Sequence, residues 1–333
     1  MPLSEWKSLA LKILSRLGVV FLTMGLLSPS FADPSYPTKP VQIVVPYPPG
    51  GLTDILTRAV AERLSKIWPQ PVITMNRPGA NGGIATGSVA KATPDGYTLL
   101  FGTDATLATN LSLYPNVPYD PVKDFAPITL LGSYQLMLVV NEDMPAKNFT
   151  EFVEYARRQQ PPLNYGSVGI GSAHHLSMEV LKSMANINLV HVPYRGGAPA
   201  TLAIVAREIP VMFNGPASIK DQVESRRLRV LAVTGKSRSP SFPDAPTIAE
   251  SGYPTFNVVN WYGLLAPAGT PPDIVEKIRA DVAKVMAQPE FRDWMTKQGI
   301  EPMSGGPAEF SSLIVSEIER LGAVVKASGA KLE

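Results

Sequence analysis

The sequence predicts an α/β fold of two lobes, each a central sheet flanked by helices, with a cleft between the lobes. Three observations carry this. A β-branched strand, a glycine-rich loop and an amphipathic helix follow one another repeatedly, as expected of sheets whose faces are covered by helices. At 333 residues the chain is too long for one typical core. The pattern also passes from one lobe into a second and returns, which assigns residues 36–135 and 258–333 to the first lobe and 136–257 to the second.

The organising stretch is VQIVVPYPPGGLTDILTR, residues 41–58. Val41, Ile43, Val44 and Val45 suit a central strand, and Pro48 and Pro49 end it by withholding ladder donors. Gly50 and Gly51 let the backbone turn with no Cβ in the way. Thr53 reads as the N-cap of a helix that buries Leu52, Leu56, Ala59, the stem of Arg63 and Ile67. Free amides and the positive end of the helix dipole then converge at the carboxyl end of the strand, which makes an anion site. The stretch lacks the lysine of a phosphate-binding loop, so a carboxylate fits better than a nucleotide. Alone it reads equally well as a tight strand-to-helix turn, but three later glycine-rich helix starts repeat the arrangement.

A second unit follows, with a strand over 71–75, a loop over 76–83 that includes Asn81, and a helix over 84–91. After a turn at 93–96, a strand over 97–102 leads to the polar cluster Thr103, Asp104, Ala105 and Thr106, which opens a short helix through Leu113. This alternation predicts parallel sheets with ligands at the carboxyl ends of the strands. Strands at 128–131 and 136–140 carry the chain into the second lobe. There helices at 148–158, 174–184 and 199–206 alternate with strands at 163–165, 189–192 and 209–213, and the loops 166–173, 193–198 and 214–217 precede helices. A strand at 228–234 precedes the proline-rich stretch 239–254, read as a hinge or surface loop. A strand at 257–266 recrosses to the first lobe, and helices at 273–286, 289–298 and 307–328 close the chain.

Residues 1–32 have the form of a cleaved secretory signal, with Lys7, Lys12 and Arg16 ahead of an apolar run at 17–27 and small residues Ser30 and Ala32 before the cut. Its removal leaves 27 basic and 27 acidic residues, so the electrostatic basis for nucleic-acid or membrane-surface binding disappears. The chain has no cysteine, hence no disulfide, thiolate metal site or cysteine nucleophile. A soluble, monomeric, exported protein is expected.

No catalytic set stands out. His174 and His175 are adjacent, so on a helix they project about 100° apart and do not chelate. His191 has no partner identifiable from the sequence. No metal and no cofactor are therefore expected. Residues 166–171 have the order G-x-x-G-x-G rather than the dinucleotide fingerprint. Ser172 reads as a helix cap, or as a nucleophile paired with His174 or His175 outside the usual G-x-S-x-G elbow. Arg195, in a glycine-rich turn, either forks onto a carboxylate or lies on the surface. Tyr47, Tyr194 and Trp261 either line the cleft or belong to the core.

Several long segments, in this order, carry a resemblance: YPTKPVQIVVPYPPGGLTDILTR, QPVITMNRPGANGGIATGSVAKATPDGYTLL, LYPNVPYDPVKDFAPITLL, GSVGIGSAHHLSME, and VPYRGGAPA followed by PVMFNG. From about residue 36 to 326 the chain resembles the periplasmic solute-binding receptors of tripartite tricarboxylate transporters, the Bug receptors. The resemblance implies a Venus-flytrap clamshell, in the periplasm, that captures a dicarboxylate or aromatic carboxylate, delivers it to membrane permease subunits and catalyses nothing. Carried over by position, the contacts would come from Pro48, Gly50, Gly51, Thr53 and Asp54, and from Thr103 and Asp104. The second lobe would add Gly171, Ser172, Ala173, Tyr194, Arg195 and Asn214. Tyr47, Asn81 and His174 complete the candidate set. The chain departs from the family pattern at Arg195, near Pro210, at Asn214 and in 103–109, all in ligand-selecting loops. Two other readings are a periplasmic sensor for a signalling partner and a secreted serine hydrolase.

Overall fold

The computed structural model describes residues 36–328, so the leader expected at residues 1–32 lies outside the described residues. From residue 37 onward the chain forms one compact unit. It opens with β1 (Val41–Val45), α1 (Leu52–Ile67), β2 (Val72–Asn76), α2 (Gly83–Ala90) and β3 (Thr98–Thr103). A π-helical turn, Ala105–Thr109, then runs into α3 (Asn110–Leu113) and β4 (Phe125–Tyr134). The second sheet is built from β5 (Met137–Asn141), α4 (Phe149–Arg158), β6 (Leu163–Ser167), α5 (Ala173–Ala185), β7 (Leu189–Pro193), α6 (Gly197–Val205), β8 (Val211–Asn214), α7 (Pro216–Glu224) and β9 (Leu228–Val233). The return is made by β10 (Asn260–Pro267), α8 (Pro272–Met286), α9 (Pro289–Lys297), β11 (Glu301–Pro302) and α10 (Pro307–Ser328).

The strand orders are β11-β4-β10-β3-β1-β2 and β7-β6-β8-β5-β9. Strands β1, β2 and β3 are mutually parallel, as are β6, β7 and β8. The sheets are nevertheless mixed, not parallel throughout, because β10 lies antiparallel between β3 and β4, and β5 antiparallel between β8 and β9. These reversed strands flank the crossings between the sheets, where a chain that leaves and comes back must run both ways.

Strand β5 shows why its sheet is covered on both sides. Leu136, Leu138 and Val140 join Phe149, Phe152, Tyr165 and Phe213 in one apolar cluster, whereas Met137 and Val139 join Ile204, Met212 and Ile219 in another. Alternate residues of a strand point to opposite faces, and each fully buried Leu, Val or Phe side chain stabilises the fold by about 1.5–3 kcal/mol. The first sheet packs Val44, Leu100, Trp261 and Leu265 against Phe310 and Ile314 of α10.

Two local expectations are corrected. The N-cap of α1 is Gly51, with no side-chain cap, and Thr53 lies inside the helix. The buried stripe of α1 is Thr53, Asp54, Leu56, Thr57, Val60, Ala61 and Leu64, while Ile67 is exposed and Arg63 lies over the Phe291 ring at 4.4 Å. The stretch 239–254 is a series of turns whose Ala245, Thr247 and Ile248 are buried. Val233 N donates to Pro246 O and Ile248 N to Val233 O, which fastens it to β9.

Candidate functional site

The loop between β1 and α1 is shaped by one carboxylate. Gly50 takes φ +88°, a conformation glycine adopts freely, and its N–H donates to Asp54 Oδ2 at 2.9 Å. The same oxygen accepts from Arg58 Nε at 3.0 Å, and Oδ1 accepts from Asn76 Nδ2 at 3.0 Å. Asn76 also donates to Tyr47 O and accepts from Arg58 Nη2. Burial raises the Asp54 pKa, but the Arg58, Gly50 and Asn76 hydrogen bonds outweigh it and hold the carboxyl below the ordinary carboxylate range. Asp54 thus clamps the loop from inside. It leaves exposed Pro48, Gly50 and Gly51 next to the first amides of a 16-residue helix, which have no carbonyl one turn earlier to bind.

Asn81 is spent locally: its Nδ2 donates to Asn110 Oδ1 at 2.9 Å, and Asn110 Nδ2 returns a bond to Asn81 O. Thr103 is buried and exchanges hydrogen bonds with Thr106, while its Oγ1 lies 3.3 Å from the Tyr47 hydroxyl. Asp104 is also buried, and its carboxyl forms no ion pair among the described residues. Burial, reinforced by the nearby Glu317 charge, pushes its pKa up to about 7.

Beside it, Tyr134 and Tyr262 stack at 5.1 Å between centroids. Register pairs Tyr134 with Asn260 and Tyr262 with Thr103, so these four side chains share one face of the sheet. Burial also raises the hydroxyl pKa values of Tyr47, Tyr134 and Tyr262 well above the usual phenol value.

In the second sheet, Ser172 caps α5: its Oγ accepts from His175 N at 3.3 Å and donates to Gly169 O at 2.6 Å. Gly171 N donates to His175 Nδ1, and Ala173 begins the helix. Neither histidine ring is hydrogen-bonded to Ser172, so the nucleophile–base pair of the hydrolase reading is not assembled. His174 Nδ1 is buried with no partner, and burial lowers its pKa to about 4. His191, without an evident partner in the sequence, stacks on His175 at 4.0 Å and on Tyr165 at 4.9 Å, with Nε2 2.6 Å from Ser167 Oγ. The β6–β7 register, which sets Tyr165 beside His191, produces this stack. Tyr194 packs partly buried and donates its N–H to Ser167 O. Arg195 is exposed and pairs with no carboxylate among the described residues. Asn214 Nδ2 donates to Thr201 Oγ1 and its Oδ1 accepts from Gly215 N, so that amide is used within the lobe.

The two lobes touch in two places. A Cβ at Gly171 would overlap Leu113, and Leu113, Leu176 and Val325 form a small apolar cluster across the lobes. Elsewhere Gly299 sits against Pro216. Near the crossings, Gln135 donates to Glu301 Oε1 at 2.9 Å and accepts from Gly235 N at 3.0 Å. Arg58, Asn76, Tyr134, Asn260 and Tyr262 were not among the sequence candidates. Only Asn76, at the carboxyl end of a strand, carried a usable signal.

Over residues 56–330 the sequence matches the family described as Tripartite tricarboxylate transporter family receptor. The chain belongs to that family. Among solved structures, R. palustris Rpa4515 with adipate shares 35% identity and a TM-score of 0.83, covering 89% of this chain and 100% of that one. The periplasmic binding protein BugD gives 33% identity and a TM-score of 0.80, with coverage of 89% and 100%. MatC (Rpa3494) from Rhodopseudomonas palustris with bound malate gives 32% identity and a TM-score of 0.79, with coverage of 87% and 100%. Receptors of this family are solute-binding proteins, and this chain shares their two-lobed fold. Among the described residues no helix is long and apolar enough to cross a membrane, and no group of three or more His, Cys, Asp or Glu could hold a metal.

Proposed function

We propose that this receptor captures a small organic acid in the periplasm and hands it to the permease subunits of a tripartite transporter. The observation that carries the reading is the clamped loop after β1. Asp54, Arg58 and Asn76 hold Gly50 and Gly51 open, so the free amides of α1 face outward from the carboxyl end of β1. Such donors prefer an anion. Hydrogen bonds to a charged group contribute roughly 1.5–3 kcal/mol each, and micromolar affinity needs about 8 kcal/mol; three to five such bonds are enough. Adipate and malate, bound by the two related proteins, are both dicarboxylates.

In this reading residues 36–135 with 258–333 form one lobe and 136–257 the other. The solute bridges them and so favours the closed state that it binds best. Calorimetric titration with a panel of carboxylates and uncharged sugars tests the reading. Binding of a carboxylate supports it; binding of sugars alone refutes it. Solute-dependent capture of the protein by its transporter's membrane subunits tests delivery, and capture indifferent to solute argues against it.

A further inference from the structure

Asp104 poses a problem that the anion reading does not solve. Its side chain is buried, no basic group pairs with it among the described residues, and its hydrogen bonds come from the backbone N–H groups of Ala105 and of Asp104 itself rather than from another side chain. The nearest cation in electrostatic reach, Arg320, is bound through two nitrogens to Glu317 at 2.7 and 2.8 Å. Glu317 is itself anionic, so the pair offers Asp104 no net relief. Tyr47, Tyr134 and Tyr262 also lie within electrostatic reach of this carboxyl. The Asn260 Nδ2 amide, on the sheet face of Tyr134 and Tyr262, is buried with no acceptor. With no cation beside it an ionised buried carboxyl is costly, and in that form it would repel a second carboxylate brought beside it.

We infer that the wall formed by Tyr47, Asp104, Tyr134, Asn260 and Tyr262 receives a positively charged nitrogen, and that the preferred solute is therefore a carboxylate bearing an ammonium-type group rather than a plain dicarboxylate. This rests on the carboxylate reading above and names the other end of the same solute. The α1 loop takes the carboxylate. An ammonium group supplies the countercharge that Asp104 lacks, and tyrosine rings are favourable neighbours for such a cation. Asn260 Nδ2 remains available to an acceptor atom along the solute.

The test compares ligands of equal length, 6-aminohexanoate against adipate and 4-aminobutanoate against succinate, by calorimetry at pH 8 on the purified protein. One charge-assisted contact predicts that at least one amino acid binds about 10-fold or more tighter than its dicarboxylate partner. Asp104→Asn should abolish or reverse that ratio and Asp104→Glu should keep its sign. Melting curves identify any variant that fails to fold; for an unfolded Asp104→Asn, Asn260→Asp, which adds a carboxylate to the same wall, should raise the ratio. Dicarboxylates bound in preference, or a ratio unchanged in Asp104→Asn, overturn the inference while leaving the carboxylate receptor intact. If neither class binds, the inference falls, and the carboxylate reading falls with it only if no carboxylate of the wider panel binds.

Discussion

Asp54 is the sharpest place to perturb the loop, because it serves the fold and the solute differently. Its carboxylate accepts from Gly50 N, Arg58 Nε and Asn76 Nδ2. In Asp54→Ala the bonds from Gly50 and Asn76 are lost, at roughly 1 kcal/mol each in net terms. The Arg58 pair adds only about 0.5 kcal/mol, because the Arg58 side chain is 53% exposed and water screens it. The expected loss is about 2–3 kcal/mol, which for a protein of this size lowers the melting temperature by roughly 3–5 °C. Scanning calorimetry reads that shift, and titration with a bound carboxylate should show weaker binding because Gly50 and Gly51 are no longer held open. The Asp54 pKa is lowered in the fold. Its stabilisation is therefore present above the unfolded value near 4 and lost as pH falls through the folded one, so the variant and the wild type should converge in acid. An unchanged melting temperature together with lost binding would refute the clamp and make Asp54 a direct ligand group.

Gly171→Val forces a β-branched side chain to φ +75° and into Leu113, so the approach of the two lobes at this point should be disfavoured; solute affinity falls about 10-fold or more, and small-angle scattering shows less compaction on adding solute. Ser172→Ala removes the α5 cap and should cost about 1 kcal/mol by chemical denaturation; a bound carboxylate recovered intact from both proteins after incubation fits a receptor, whereas turnover abolished by the variant would restore the hydrolase reading. His174 and His191 have pKa values lowered to about 4 by burial. The unfolded chain therefore binds their protons first, and stability should fall as pH drops from about 6.5 towards 4. His191→Gln should flatten that slope in denaturation midpoints measured across the range, and an unaltered slope would remove His191 as its source.

The alternation of strands and helices was legible because apolar periodicity and glycine punctuation are local signals. The Ser172 cap was legible for the same reason. The inward face of α1 was not. Thr53, Asp54 and Thr57 turn inward because the loop needs the Asp54 carboxylate and because Thr57 Oγ1 bonds Thr53 O at 2.6 Å; a hydrophobic count places polar residues outside. The wall around Asp104 is assembled from β3, β4 and β10, far apart in the chain, and only strand register brings Thr103, Tyr134, Asn260 and Tyr262 to one face. The histidine stack likewise depends on how β6 aligns with β7. Arg195, singled out as a cation in a glycine turn, is exposed, a placement that its sequence neighbours leave open.

Strands β5 to β9 come from one uninterrupted run of chain, and its two ends are tied together. Leu136 N donates to Thr234 Oγ1 and Thr234 N to Leu136 O, both at 3.0 Å, and Val258 N donates to Thr234 O. A block with such closely spaced ends can be replaced, with one crossover at each end, without unravelling its host. On the proposed reading the second lobe's share of the solute-facing surface would then be traded as a block, while the Asp54 loop and the tyrosine wall stay with the recipient. Chimeras joined at these two seams are the natural route to receptors with new preferences.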